Sequence, residues 1–192
     1  MRVIAGLARG RRLKTLPTRE VRPTADRVKE AMFSMIDSRR GLAGARVLDL
    51  YAGSGALGIE ALSRGAFHCT FVERDRRAAQ ILAENLGTCG FTDLADVWTI
   101  SAASALGRLS GRDSLYDVVL LDPPYGDRIA ERLLHGLTVG GVLAEGAVVV
   151  VEHGTDESVG DVGTLQLTRS RRYGKTCVSL LTNHRREEFP AT

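Results

Sequence analysis

From residue 45 onward, short apolar runs alternate with stretches of helical periodicity, and this alternation is what most restricts the folds open to the chain. Strands and helices in strict succession build a parallel sheet with helices on both faces. Arg46 to Tyr51 reads as a first strand and Ala56 to Arg64 as the helix after it. His68 to Glu73 is a second strand, followed by a helix over Arg76 to Leu86. Asp96 to Ile100 is a weaker third strand. Tyr116 to Asp122 is a fourth, and its run Val118, Val119, Leu120, Leu121 suits a strand buried on both faces. A helix over Asp127 to Leu137 and a strand over Ala147 to Glu152 continue the rhythm. Thr164 to Arg172 and Thr176 to Thr182, separated by Tyr173-Gly174-Lys175, predict a terminal hairpin. The expectation is an α/β, Rossmann-like sheet of five parallel strands plus a C-terminal antiparallel pair.

The first forty residues follow a different rule. Val3 to Leu7 and Arg12 to Leu16, joined by Ala8 to Arg11, predict a small N-terminal β-hairpin extension with basic residues at its tip. Thr24 is placed to cap a helix over Ala25 to Ser38, whose Val28, Ala31, Met32, Met35 and Ile36 form an apolar stripe. Residues 1–40 hold eleven Lys or Arg against four acids, a charge of +7 in a chain whose total is +3. A basic arm on a less basic body is the electrostatic footprint of a phosphate-backbone binder. The candidate phosphate contacts are Arg9, Arg11, Arg12 and Lys14 on the hairpin, with Arg22, Thr24 and Arg27 where the helix begins. At 192 residues and 44% hydrophobic content the chain can bury one sizeable core. We expect a basic extension over residues 1–20, one domain over 21–183 and a polar tail over 184–192. No long apolar run and no secretory leader are visible, which predicts a cytoplasmic protein that does not engage a membrane. Cys69, Cys89 and Cys177 fit no metal-ligand spacing, so no metal is expected.

Two motifs carry chemistry. The stretch Asp49-Leu50-Tyr51-Ala52-Gly53-Ser54-Gly55-Ala56-Leu57-Gly58 runs from a strand through a glycine turn into a helix. Gly53 and Gly55 let the backbone turn tightly against a ligand, and the helix start offers N–H donors. Gly53-x-Gly55-x-x-Gly58, with Glu73 twenty residues after Gly53, also satisfies the dinucleotide fingerprint, so the glycines alone do not separate NAD from S-adenosylmethionine. Asp49 favours the second, since a carboxylate at the strand end repels a pyrophosphate and can accept hydrogen bonds around a cationic amino-acid group.

Asp122-Pro123-Pro124-Tyr125 follows directly on the fourth strand, at the carboxyl edge where such sheets bind ligands. An exocyclic amine on a base is a poor nucleophile because its lone pair is delocalised into the ring. The Asp122 carboxylate and the Pro123 carbonyl can accept its two N–H hydrogens and aim that pair, and Tyr125 offers a flat face for the base. These three are the candidate catalytic residues. His153, at the end of the fifth strand, reads as a structural or rim residue.

The segments Arg22 to Phe33, Asp49 to Ala66 and Asp122 to Tyr125 resemble, in motif and in order, the bacterial 16S rRNA guanine-N2 methyltransferases, and the resemblance runs from Ile4 to about residue 182. It implies a class I methyltransferase sheet, S-adenosyl-L-methionine as cofactor, and a monomer acting on 16S rRNA or an assembling small ribosomal subunit. It further implies cofactor contacts at Asp49, Tyr51, Gly53, Gly55, Glu73, Arg74, Ser101, Ala102 and Asp122, with Glu73 on the ribose hydroxyls. Where family enzymes often carry Asp or Asn after the third strand, this chain has Thr99 to Ala103, so Ser101 or a backbone group takes the adenine contact. Two alternatives share the motifs: a DNA methyltransferase acting on adenine N6 or cytosine N4, and a non-catalytic RNA-binding assembly factor.

Overall fold

The computed structural model describes residues 1–16, 23–111, 115–124, 126 and 129–184. Its elements are α1 (Pro23–Arg39), β1 (Arg46–Asp49), α2 (Ala56–Ser63), β2 (His68–Val72), α3 (Arg76–Cys89), β3 (Ala95–Trp98), α4 (Ala102–Leu109), β4 (Tyr116–Leu121), α5 (Ile129–Val139), β5 (Leu143–Gly154), β6 (Leu165–Tyr173) and β7 (Thr176–Asn183). The strands form one seven-stranded sheet in the order β3-β2-β1-β4-β5-β7-β6. Strands β1 to β5 run parallel, and β7 enters antiparallel between β5 and β6. This is the architecture expected from the alternation, with its switch point between β1 and β4.

Both faces of the sheet are covered, which is why β4 and β5 are apolar without alternation. On one face Val47, Phe71, Leu120, Val150 and Val178 pack with Met32, Phe33, Ile36, Ile59 and Leu82 from α1, α2 and α3. On the other, Leu48, Val72, Val119, Val149 and Leu181 pack with Ala105, Leu109, Leu134 and Leu137 from α4 and α5. Helix α4 is absent from the sequence-based expectation. Ser101 caps it, accepting the Ser104 N–H at 3.1 Å, and its buried positions Ala102, Ala105, Leu106 and Leu109 follow helical spacing. Helix α1 begins earlier than expected, with Pro23 in the first turn where its missing N–H costs nothing. Thr24 is therefore inside the helix backbone rather than the residue preceding it; its side chain, like Arg22 and Tyr125, lies outside the described residues.

The N-terminal hairpin needs the largest correction. The chain does turn back on itself, but Arg2 and Arg12 form a lone antiparallel bridge in place of two strands. Val3 donates to the Arg11 carbonyl, Gly10 to Val3 and Leu13 to Met1 across the turn, but other amides of the predicted strands are used elsewhere. Ile4 and Ala5 donate to Glu60 at 2.7 and 3.0 Å, Leu7 to the Ser63 carbonyl at 2.8 Å, and Lys14 to Asn85 at 2.8 Å. The segment is thus a layer docked on α2 and α3, with Val3, Ala8 and Leu13 inside the core.

Glu60 anchors that layer. It is fully buried and also receives Arg64 Nε at 2.9 Å and Lys29 Nζ, itself 3% exposed, at 3.3 Å. Four donors from three parts of the chain offset the cost of taking the carboxylate out of water. Glu60→Ala is expected to lower the free energy of unfolding by about 3–5 kcal/mol, because Lys29 stays buried without its counter-charge. Urea unfolding checks the magnitude, and loss of hydrogen-exchange protection at Ile4 and Ala5 checks the cause.

Candidate active site

Three strand ends meet at the carboxyl edge of the sheet: Asp49 closes β1, Glu73 follows β2 and Asp122 follows β4. A cavity of about 900 Å³ opens there, within the usual range for small-molecule sites. Of the residues singled out in the sequence, Tyr51, Gly53, Glu73, Arg74, Ser101, Ala102, Asp122 and Pro123 line it. Asp49 and Gly55 do not reach its surface; they hold the loop that does.

The glycine loop is shaped by that second group. Gly55 sits at φ +86°, and a Cβ there would lie 2.1 Å from Leu82 Cδ1, so only glycine turns this corner. Gly58 is helical, yet a Cβ on it would fall 2.2 Å from the Phe71 ring, which lets α2 lie close on β2. The loop amides are already engaged. Gly53 N–H donates to Glu73 Oε2 at 2.9 Å, Gly55 N–H to the Ala52 carbonyl at 2.7 Å, and Gly58 N–H to Asp49 Oδ2 at 3.0 Å. A pyrophosphate needs those donors and would meet the carboxylates of Glu73, Asp75 and Asp122 on the same wall. The loop therefore suits a cationic ligand, a distinction that glycine spacing alone leaves open.

Electrostatics agree. Asp49 is fully buried and its carboxyl is pushed up to about 7, chiefly by burial; the Gly58 hydrogen bond opposes this, and repulsion from Asp122 and Glu73 adds to it. Its Oδ1 has no hydrogen-bond partner among the described residues. A buried acid with one oxygen unmatched, beneath a loop flanked by two further carboxylates, fits a ligand that brings N–H groups or positive charge. Glu73 spends one lone pair of each oxygen on Gly53 and Asp75 N–H groups, leaving capacity for a pair of hydroxyls. Burial raises the Tyr51 phenol, against the opposing pull of Arg74 and Arg132. Pro123 is buried and Pro124 exposed, so the turn after β4 presents its carbonyls from a rigid base. Beyond it, Gly126 N–H donates to Glu157 at 2.7 Å.

Several residues that shape the site are not evident from the sequence. Lys29, Val28 and Met32 of α1 line the cavity, as do Thr15, Leu16 and the turn Tyr173-Gly174-Lys175-Thr176. Asn85, 1% exposed, donates to the Ser54 carbonyl at 2.8 Å and to the Lys14 carbonyl at 3.0 Å, joining the glycine loop to the N-terminal layer. An amide on the inner face of an otherwise apolar helix stripe is the one signal of it in the sequence. His153 is buried with Nε2 at 2.9 Å from Ser179 Oγ and is no part of the cavity wall, in keeping with a structural role. Among the candidate phosphate contacts, Arg9, Arg12 and Arg27 are exposed. Lys14 pairs with Glu84 at 2.7 Å, and Arg11 donates to the Thr88 carbonyl, so these two also fasten the layer to α3.

The raised Asp49 value has a measurable consequence. Ionising this acid costs more in the fold than in the unfolded chain, whose value is 3.8. Without ligand, the wild type should lose stability relative to Asp49→Asn as pH rises from about 4 to about 7, with no further change above that. Unfolding midpoints of both proteins across this range check it; a constant difference would contradict the burial argument.

The chain is 42% identical over 181 residues to the Bacillus subtilis protein YlbH, covering 94% of this chain and 97% of that one. It is 39% identical over 159 residues to the ribosomal RNA small subunit methyltransferase D of Haemophilus influenzae, covering 82% of this chain and 80% of the relative. The solved structure of Escherichia coli yhhF superposes with a TM-score of 0.84 at 34% identity, over 96% of this chain and 98% of that one. Residues 1–182 match the family described as conserved hypothetical protein 95, and the chain belongs to that family.

Proposed function

We propose that this protein transfers a methyl group from S-adenosyl-L-methionine to the exocyclic N2 of a guanine in 16S rRNA of the small ribosomal subunit. The observation that carries the reaction is the placement of Asp122 and Pro123 on the same cavity as a glycine loop whose own amides are bound by carboxylates. The relative from Haemophilus influenzae, named as a small-subunit rRNA methyltransferase, supports the substrate class.

S-adenosylmethionine, when bound, supplies a methyl group on a sulfonium that leaves as a neutral thioether. Tyr51, Gly53 and Glu73 would hold it, with Asp49 beneath the loop fixing the Gly58 amide. Ser101 and Ala102, at the start of α4, form the wall available to its base. The chain's own contribution to the chemistry is orientation. Asp122 and the Pro123 carbonyl accept the N–H hydrogens of the target amine, turning its lone pair toward the methyl group. As the nitrogen gains a carbon it must shed a proton, and Asp122 stabilises the positive charge that develops before solvent takes that proton. Tyr125, which follows Pro124, would stack on the base; Arg9, Arg12 and Arg27, with Arg22, would meet the phosphates.

Small subunits isolated from cells lacking this protein, incubated with tritiated S-adenosylmethionine, should gain N2-methylguanosine, identified by mass. Asp122→Ala should slow transfer by roughly 10²–10³-fold, as for loss of one preorganised group, while S-adenosylmethionine still raises the unfolding temperature. Label entering DNA instead would favour adenine N6 or cytosine N4 methylation. Cofactor binding without transfer to any substrate would favour a non-catalytic assembly factor.

A further inference from the structure

The charge of the chain is divided into three parts, of which the N-terminal basic arm is only the first. Residues 41–164 hold nine Lys or Arg against seventeen acids, so the body is acidic. The hairpin formed by β6 and β7, residues 165–183, then carries Arg169, Arg171, Arg172 and Lys175 and no acid at all. β6 is the last strand of the sheet. Charged side chains on an edge strand discourage pairing with another sheet, but either sign serves that purpose. A run of one sign, on an acidic body, calls for a different explanation.

Register shows where these cations point. Arg169 pairs with Leu180 and Arg171 with Val178, and directly opposed residues share a face. Leu180 and Val178 belong to the core under α1, which lies against β5 and β7. Arg169 and Arg171 therefore stand on the α1 side of the sheet, beyond the helix, and both are exposed. Among the described residues no carboxylate pairs with either. Two residues further along the same face, Tyr173 packs on that core and lines the active-site cavity, and the turn with Lys175 completes the wall. The row from Arg169 to Tyr173 spans roughly 13 Å at the usual rise of an extended strand and ends at the cavity mouth. The N-terminal layer, with Met1, Thr15 and Leu16, borders the same cavity.

We propose that the exposed α1-side face of β6, through Arg169 and Arg171, is a second binding surface for the phosphate backbone of the RNA substrate, leading from the cavity mouth in a different direction from the N-terminal layer. Two cationic surfaces flanking one cavity hold the backbone on both sides of a nucleotide drawn out of its stack, and the acidic body repels it elsewhere. This surface rests on the reading of the substrate as RNA.

The test measures the dissociation constant of the full-length protein for a 16S rRNA transcript, and for isolated small subunits, at several salt concentrations. Arg169→Ala/Arg171→Ala should unfold at the wild-type temperature, bind roughly tenfold more weakly, and show a salt slope smaller by about two, one for each phosphate no longer neutralised. Arg169→Lys/Arg171→Lys should restore the slope. Arg39→Ala/Arg46→Ala removes the same charge from the opposite, amino-terminal edge of the sheet and should have the smaller effect. A β6 variant with wild-type affinity and slope, or one no weaker than the opposite-edge variant, overturns the surface. Wild-type protein that binds these RNAs but transfers no methyl group overturns the proposed reaction while the comparison of slopes still reads the surface. Binding to neither RNA overturns both.

Discussion

The structure turns on a single buried carboxylate. Glu60 lies on the second turn of the helix that follows the glycine loop, so whatever it grips is held at a fixed place relative to the cofactor side of the cavity. It grips the amides of Ile4 and Ala5, the ammonium of Lys29 and the guanidinium of Arg64. Lys29 in turn donates to the Arg2 carbonyl at 2.6 Å, closing the circuit between α1 and the N-terminal segment. Burial lowers the Lys29 pKa and the neighbouring Glu60 carboxylate opposes that shift, so its charge depends on Glu60 remaining in place. Arg64 extends the arrangement outward, lying 4.8 Å over the Phe33 ring and pairing with Asp37 at 2.9 Å. Such a cluster adds little net stability compared with an apolar core of equal volume. What it adds is direction, because a hydrophobic contact would let the segment slide and a set of hydrogen bonds does not.

The active-site edge follows the opposite electrical logic. Asp49, Glu73 and Asp122 come from three parallel strands whose ends a doubly wound sheet must bring together, and no cation among the described residues is bonded to Asp49 or Glu73. Their mutual repulsion is part of what raises Asp49. The carboxylates of Glu73 and Asp49 also hold the Gly53 and Gly58 amides, so the chain itself sets the shape of the loop.

Much of this is legible in the sequence, and what is not has physical causes. Strand and helix positions, the glycine loop and the Asp-Pro-Pro-Tyr turn follow from local pattern, because parallel strands are continuous apolar runs and tight turns need particular residues. Helix α4 escapes that reading although Ala102, Ala105, Leu106 and Leu109 have helical spacing, because Ser101, which caps it, suits a ligand contact equally well. The N-terminal hairpin is overdrawn for a different reason. Alternating residues near a turn predict a ladder only if their amides have nowhere better to go, and here Glu60, Ser63 and Asn85 lie more than fifty residues away in sequence. The parts played by Lys29 and by the Tyr173 turn are hidden in the same way, since tertiary packing alone brings them to the cavity. Arg22, the side chain of Thr24 and Tyr125 fall outside the described residues.

Asn85 gives the molecule a property that neither of its contacts has alone. One side-chain amide restrains both Ser54, on the glycine loop, and Lys14, at the end of the N-terminal layer. The glycine loop and the N-terminal layer therefore share one tether, so a change that displaces the Asn85 amide strips a hydrogen bond from both at once.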